Sequence, residues 1–148
     1  MLRTLSVLAV SAFVLAGVAR AGDGAITYYV QLIRGTDSEQ PPQQGSQHVG
    51  AKLARQFNRV FKLKNYWEIN QRKAEVKRGR SARLLLSNGR EVEIDLRAQN
   101  KRTVAAFQNG ILVDRTVVPV GEAMTLIGGN RDQESVWFIV VRRDKPGE

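Results

Sequence analysis

The stretch Arg83–Leu96, RLLLSNGREVEIDL, has the pattern of a β-hairpin. An Asn-Gly pair at 88–89 is a strong signal for a tight turn between two strands. In the arm EVEIDL that follows, carboxylates alternate with valine, isoleucine and leucine. Because successive side chains of a strand point to opposite faces, this alternation predicts one buried and one solvated face. The hairpin therefore predicts an antiparallel sheet that packs against an apolar layer.

The length of the turn determines which residues of the hairpin pair. A two-residue turn, Asn88-Gly89, would place leucine beside carboxylate, with Leu84 opposite Glu93. A three-residue turn that starts at Ser87 and has Gly89 in the left-handed conformation matches apolar with apolar side chains. It pairs Leu86 with Arg90, Leu84 with Val92 and Arg83 with Glu93. We therefore predict the three-residue turn.

A second hairpin of similar design follows at Thr103–Val118, with Asn-Gly at 109–110. A three-residue turn there would pair Phe107 with Ile111 and Ala105 with Val113. Two successive hairpins of this kind indicate a meander of antiparallel strands. The likeness between them is too weak for an internal repeat.

Other segments rich in β-branched and aromatic residues complete the predicted sheets. They are Ala25–Arg34, Tyr66–Val76 (one strand, or two with a break near 71–73), Ala123–Ile127 and Val136–Val141. The last, VWFIVV, is apolar on both faces, which is typical of a strand in the middle of a sheet or between two layers. The pattern predicts a mainly β protein, an antiparallel β-sandwich of eight or nine short strands with one amphipathic helix after the first strand.

The helix is predicted at Ala51–Leu63, AKLARQFNRVFKL. Four apolar residues share one side at helical spacing, namely Leu53, Phe57, Val60 and Phe61. Four basic residues fall on the opposite side, namely Lys52, Arg55, Arg59 and Lys62. We expect the apolar side to pack on a sheet and the basic side to face solvent. A helix lying on an anionic membrane is the alternative, but three turns offer little apolar area for it.

The first twenty-one residues have the features of an export signal. Arg3 precedes a 14-residue apolar stretch, Leu5–Val18, and Ala19-Arg20-Ala21 has the small residues of a cleavage site. The stretch is shorter than the roughly 20 residues that a membrane-spanning helix needs. We predict cleavage after Ala21 and a periplasmic or secreted protein without a permanent membrane span. A retained anchor is the alternative.

Residues 22–148 fit one domain, and a polar stretch at 35–50 predicts a mobile loop within it. The whole chain has 23 basic and 14 acidic residues, and removal of Arg3 and Arg20 with the signal leaves a net charge of +7. Between Gly50 and Gly110, 15 basic residues accompany five acidic ones. Outside the cytosol the available polyanions are lipid headgroups, cell-wall polymers and acidic proteins, so nucleic acid is not an expected partner. A basic surface that only maintains solubility is the alternative.

Few residues are available for chemistry. The chain has no cysteine and one histidine, His48, so a nucleophile with a neighbouring base and a zinc site are both unexpected. Three carboxylates, Glu91, Glu93 and Asp95, fall on the solvated face of a strand, where ion pairing is their expected role. The segment 130–134 resembles a calcium loop only loosely, and we interpret 128–132 as a turn. We predict no catalytic residue, no metal and no cofactor.

Aromatic and basic side chains lie together around Tyr66, as they do in sites that bind sugars or single-stranded nucleic acid. A position in the core is the other interpretation of these aromatics. If the protein has a ligand surface, it is predicted here and on the basic side of the helix. The candidate residues are Lys52, Arg55, Arg59, Lys62, Lys64, Tyr66, Trp67 and Arg72.

Three segments resemble a group of small exported bacterial β-sandwich proteins of unknown role. They are VQLIRGT at 30–36, FKLKNYWE at 61–68, and the stretch from Gly128-Gly129 through WFIVV at 137–141. The resemblance implies a signal peptide followed by a β-rich domain. It implies no particular activity, ligand or catalytic residue.

These observations favour a non-enzymatic binding or assembly module of the cell envelope. The first hypothesis is recognition of a polyanion or an acidic envelope protein through the basic side of the helix. The alternative is a structural subunit that associates with itself through an apolar edge or patch. A small exported hydrolase is the remote alternative. The oligomeric state is not predicted.

Overall fold

The computed structural model describes residues 24–132 and 135–147. The predicted signal peptide, 1–21, lies outside these residues. The elements are β1 (Ala25–Thr36), β2 (Gln47–His48), α1 (Ala51–Asn58), β3 (Asn65–Lys77), β4 (Ser81–Ser87), β5 (Arg90–Asp95), β6 (Lys101–Gln108), β7 (Ile111–Pro119), β8 (Met124–Asp132) and β9 (Ser135–Arg142). Within the described ranges no helix is long and apolar enough to cross a membrane.

The strands form two antiparallel sheets. The first has the order β2-β3-β1-β9-β8 and the second has the order β4-β5-β6-β7. Every neighbouring pair is antiparallel. Nine strands and one helix after the first strand, counted over the described residues, confirm the predicted mainly β fold with two packed sheets.

The two sheets bury a common apolar layer. The face of β1 that points to the second sheet contributes Tyr28, Val30 and Leu32, none of which is exposed. From the second sheet, the alternating Val92 and Ile94 of β5 point back at them. The other buried members are Ile26, Ala74, Val76, Leu86, Leu96, Val104, Ala106, Ile127, Ile139 and Val141. The alternation in EVEIDL therefore has its predicted buried and solvated faces.

The five-stranded sheet has a second covered face. Strand β9 lies between β1 and β8, which confirms its predicted place inside a sheet. Its Phe138 and Val140 face away from the sandwich core and pack with Leu53 and Phe57 of α1. The rings of Phe57 and Phe138 stack with centroids 4.9 Å apart. The helix thus forms a third layer over one half of this face.

The predicted helix is too long at its C-terminal end. It ends at Asn58, and the chain then turns, with Lys62 in the left-handed conformation at φ 51°. The turn buries Leu63, whose N–H donates to the Tyr66 hydroxyl, and that hydroxyl donates to the Asn58 side chain. A continuous helix could not make these contacts. As a result Val60, predicted on the apolar side, is 71% exposed.

The first hairpin has a register that combines both turn alternatives. Leu84 pairs with Val92 and Arg83 with Glu93, as predicted. The predicted pair of Leu86 with Arg90 is wrong, because Ser87 pairs with Arg90 and Leu86 lies in a bulge. Next to the turn, the pair Ser87 and Arg90 is that of a two-residue turn. Beyond the bulge, the pairs are those predicted for a three-residue turn. The bulge also places Leu86 in the core, where it is 1% exposed.

The predicted register of the second hairpin is wrong. Phe107 pairs with Leu112 and Ala105 with Arg115, because the turn has two residues and the strand has a bulge further along. Asn109 and Gly110 both have positive φ, 50° and 80°, which is the geometry of a tight turn between twisted strands. The two hairpins also meet at their tips, where the Asn109 N–H donates to the Gly89 carbonyl over 2.7 Å.

Three other predicted boundaries move. Strand β1 extends to Thr36 and residues 47–48 form β2, so the polar loop is shorter than 35–50. The predicted turn at 128–132 is the second half of β8, with a bulge between Gly128 and Asn130. Strand β3 is continuous through 71–73, which decides between the one-strand and two-strand alternatives. Pairing with β3 and β9 extends β1, pairing with β3 forms β2, and pairing with the following strand, β9, extends β8.

One of the basic residues is in the core. Arg102 has no exposed surface. Its guanidinium donates to the Thr125 hydroxyl and, over 2.9 Å, to the Glu122 carbonyl, and it lies 5.2 Å from the centre of the Tyr28 ring. Because these partners belong to the other sheet and to the turn before β8, Arg102 joins the two sheets at this edge.

Gly128→Ala tests the bulge in β8. Gly128 has φ 109°, and a Cβ there would lie 2.6 Å from the Trp137 carbonyl oxygen. We expect the substitution to lower the free energy of unfolding by about 2 kcal/mol or more, since both backbone strain and a clash with main chain oppose it. Urea denaturation measures the change. Gly121→Ala is the matched control, because a Cβ at Gly121 meets nothing within 4 Å. Equal stability of the two variants would contradict the assigned geometry.

Candidate functional site

The basic candidates of the helix region are at the surface. Lys52 and Arg55 are exposed on α1, and Arg59, Lys62 and Lys64 are exposed in the turn after it. Arg72 is also exposed, but it belongs to β3, where it pairs with Val30. The predicted cations are therefore accessible, although Arg72 is not part of the helix surface.

The two aromatic candidates are buried. Tyr66 is 3% exposed, and burial raises the pKa of its hydroxyl, which also bonds Leu63 and Asn58. Trp67 is 6% exposed and stacks on the imidazole of His48, with ring centroids 3.8 Å apart. Neither ring offers an open face to a ligand. Both aromatics therefore hold the loop and helix onto β3.

A large cavity lies beside the N-terminal end of α1. It is an open groove of about 1100 Å³, and Gln31 of β1 contributes to its wall. Its other walls are the first turns of α1, the β7–β8 turn and the chain after β9. The residues are Gly50, Ala51, Lys52, Leu53, Gln56, Gly121, Glu122, Ala123, Met124, Arg142, Arg143, Asp144, Lys145, Pro146 and Gly147. We call this cavity the polar end of the α1 groove.

Cations outnumber carboxylates at the polar end. Lys52, Arg143 and Lys145 line it together with Arg142, and the acidic residues there are Glu122 and Asp144. Arg142 and Asp144 form an ion pair with 2.5 Å between nitrogen and oxygen. The hydrogen bond from Arg142 holds the pKa of Asp144 below its ordinary value, and the charge of Lys52 acts in the same direction. The net positive charge favours acidic ligands.

Two polar groups at this end lack the usual partner. No side chain caps α1, whose N-cap residue is Gly50. Gln31 is 3% exposed, and its Nε2 donates to a Glu68 carboxylate oxygen over 2.6 Å, while its Oε1 has no hydrogen-bond partner. A helix start with open N–H groups adds positive potential to that of the side chains.

A smaller apolar cleft continues the groove along α1 toward β8. It has a volume of about 290 Å³ and shares Leu53, Gln56 and Met124 with the polar end. Its remaining residues are Phe57, Arg59, Val60, Phe61 and Leu126. Val60 and Leu126 are 71% and 41% exposed, so large apolar side chains border an open cleft. We call this cleft the apolar end of the α1 groove.

Sequence reasoning found only part of this groove. It identified Lys52 and Arg59, but not Gln31, Met124 or Leu126. It also did not identify the charged segment after β9, in which Arg143 and Lys145 line the polar end. The sequence does show a cluster of basic residues at 142–145. Only the fold, however, places this cluster beside Lys52.

The cations of the polar end and the exposed apolar side chains of the apolar end offer contacts to a ligand. Within the described residues no group of three or more His, Asp or Glu side chains could hold a metal ion. Comparison of the chain with protein-family models, with curated proteins and with solved structures gives no match.

Arg142→Gln tests the electrostatics of the polar end. Removing the guanidinium removes the largest cause of the lowered pKa of Asp144, so that pKa is expected to rise toward its ordinary value. An NMR titration of the Asp144 side-chain carboxyl measures the shift. Asp95 is the internal control, since Arg97 holds its pKa low independently. An unchanged midpoint for Asp144 would contradict the ion pair.

Proposed function

We propose that the protein is an exported, non-enzymatic binding module that recognises an acidic protein partner through the α1 groove. The observation that supports this most directly is that one groove has both a cationic polar end and an open apolar end. The predicted signal peptide at 1–21 and the resemblance to small exported proteins favour an encounter in the cell envelope or outside the cell.

The apolar end favours a protein over a simple polyanion. A cell-wall polymer or polyphosphate would use Lys52, Arg143 and Lys145 but would leave Val60 and Leu126 uncovered. A protein segment with acidic and apolar side chains satisfies both ends. Burying one valine-sized side chain contributes roughly 1.5–3 kcal/mol to such binding.

The carboxylates of the groove are poorly suited to hydrolysis, the remote alternative. A general acid needs a raised pKa, whereas the ion pair with Arg142 lowers the pKa of Asp144. Among the described residues of the wall, the other carboxylate is that of Glu122. A binding function requires neither group to exchange protons.

The test combines capture of a partner with measurement of its affinity. Photo-crosslinkers placed at Gln56 and Val60 in the native cell identify the partner, which is then titrated against purified variants by calorimetry. We expect Val60→Asp to weaken binding at least tenfold, because it removes apolar contact and repels acidic side chains. Lys52→Glu is expected to weaken binding by a similar factor.

Val117→Asp is the matched control for this experiment. Val117 is 52% exposed, but it lies on β7, away from the residues of the groove. It is expected to leave the affinity unchanged. An equal loss for Val60→Asp and Val117→Asp, or a captured partner that binds Val60→Asp normally, would contradict the proposal.

Self-association is a second candidate because β7 is an exposed apolar edge. It is the last strand of the second sheet, so its outer side has no neighbouring strand in that sheet. Four of its apolar residues are 45% exposed or more, namely Ile111, Leu112, Val113 and Val117. Edge strands without protective charge can pair with another chain, although Arg115 and the bulge at Val113 interrupt this one.

Light scattering over a hundredfold range of concentration tests self-association. If β7 pairs between copies, the mean mass rises with concentration, and Val117→Lys returns it to that of a monomer because a charge on an edge opposes pairing. Val60→Lys serves as the control. A constant monomer mass for the unmodified chain excludes this candidate.

A further inference from the structure

A second group of exposed cations among the described residues is separate from the α1 groove. It is formed by two connections between strands, β3–β4 and β5–β6. Its members are all exposed: Lys77, Arg78, Arg80, Arg97 and Lys101. We call this surface the basic end. None of these residues lines either cavity of the groove.

Main-chain hydrogen bonds hold the two connections side by side. The Gly79 N–H donates to the Leu96 carbonyl over 2.9 Å, and the Leu96 N–H donates to the Arg80 carbonyl over 2.8 Å. The turn at 78–80 therefore lies directly against the start of the β5–β6 connection at Arg97. The cations form one surface although they are distant in sequence.

Little negative charge offsets the basic end. Asp95 accepts hydrogen bonds from the Arg97 guanidinium, and the negative charge of Glu93 also acts on Arg97. The next acidic residue along β3 is Glu75, which lies 3.9 Å from Lys73. Among the ion pairs of the described residues, none involves Lys77, Arg78, Arg80 or Lys101. A compact group of exposed cations of this kind attracts an extended anionic surface.

The N-terminal segment joins the domain at the same place. The Arg78 N–H donates to the Gly24 carbonyl over 3.0 Å, and Ala25 pairs with Lys77. Only residues 19–23 separate Gly24 from the apolar stretch Leu5–Val18. The backbone from Val18 to Gly24 spans at most about 22 Å when extended. While this stretch is in the membrane, the basic end is therefore held within that distance of the bilayer.

We propose that the basic end docks on the anionic lipid headgroups of the membrane from which the chain emerges. The positive charge of the basic end is complementary to anionic headgroups. While the apolar stretch is in the membrane, it keeps the basic end close to those headgroups. The contact does not require the stretch to remain attached, so a cleaved chain keeps peripheral affinity for the same membrane. This surface leaves the α1 groove free for a protein partner, and the two proposals stand independently.

Vesicle sedimentation tests the docking. The protein is purified in the form that the cell exports, with its mass measured, and is mixed with vesicles of phosphatidylcholine alone or with 30% phosphatidylglycerol. We expect stronger binding to the anionic vesicles and a loss of that difference at high salt. Arg78→Gln with Arg80→Gln is expected to reduce the partition coefficient about 25-fold, since each cation near such a surface contributes about fivefold.

Arg55→Gln with Arg59→Gln is the matched control. It removes the same charge from exposed residues in and after α1 and is expected to change the partition coefficient less than threefold. Equal losses for the two double variants would mean that net charge alone governs binding and would overturn the proposal. Equal binding to neutral and anionic vesicles would also overturn it. Thermal unfolding of each variant confirms that the fold is retained.

Discussion

The structure depends on a strand that is apolar on both faces. Because β9 lies inside the five-stranded sheet, each of its faces requires an apolar cover. The second sheet covers Ile139 and Val141, and α1 covers Phe138 and Val140. The sandwich and the helix layer are thus two consequences of one segment, VWFIVV. The α1 groove exists because a short helix covers only part of the outer face.

The length of α1 links the fold to the proposed function. A helix extended to Leu63 would have placed Val60 against the sheet, as the apolar spacing predicts. Instead the chain turns after Asn58. The hydroxyl of Tyr66 donates to the Asn58 side chain, and Leu63 packs in the cluster between α1 and the sheet. Val60 is left beside Leu126 at the mouth of an apolar cleft. The tyrosine predicted as a ligand contact therefore acts indirectly, by shaping the groove.

Three groups of basic residues lie in different environments. One part borders the polar end of the α1 groove, one forms the basic end beside Gly24, and Arg102 lies in the core. The buried guanidinium bonds hydroxyl and carbonyl oxygens, which disperse its charge without a carboxylate. The net charge of the chain does not show that these cations lie in different places. Their separation makes two independent contacts possible, one with a protein and one with lipid.

Local patterns in the sequence determined most of the strands and the presence of one amphipathic helix. They also determined which face of β5 is buried and that β9 lies inside a sheet. These features follow from the spacing of residues that are close together in the chain. Only the tertiary structure decided the bulges, the end of α1 and the groove. Leu86 lies in a bulge that places it in the core, and the turn after α1 buries Leu63 and leaves Val60 exposed. The groove brings Gln31, Lys52 and Arg142 together from different elements. Such contacts join residues far apart in the chain, and no local periodicity encodes them.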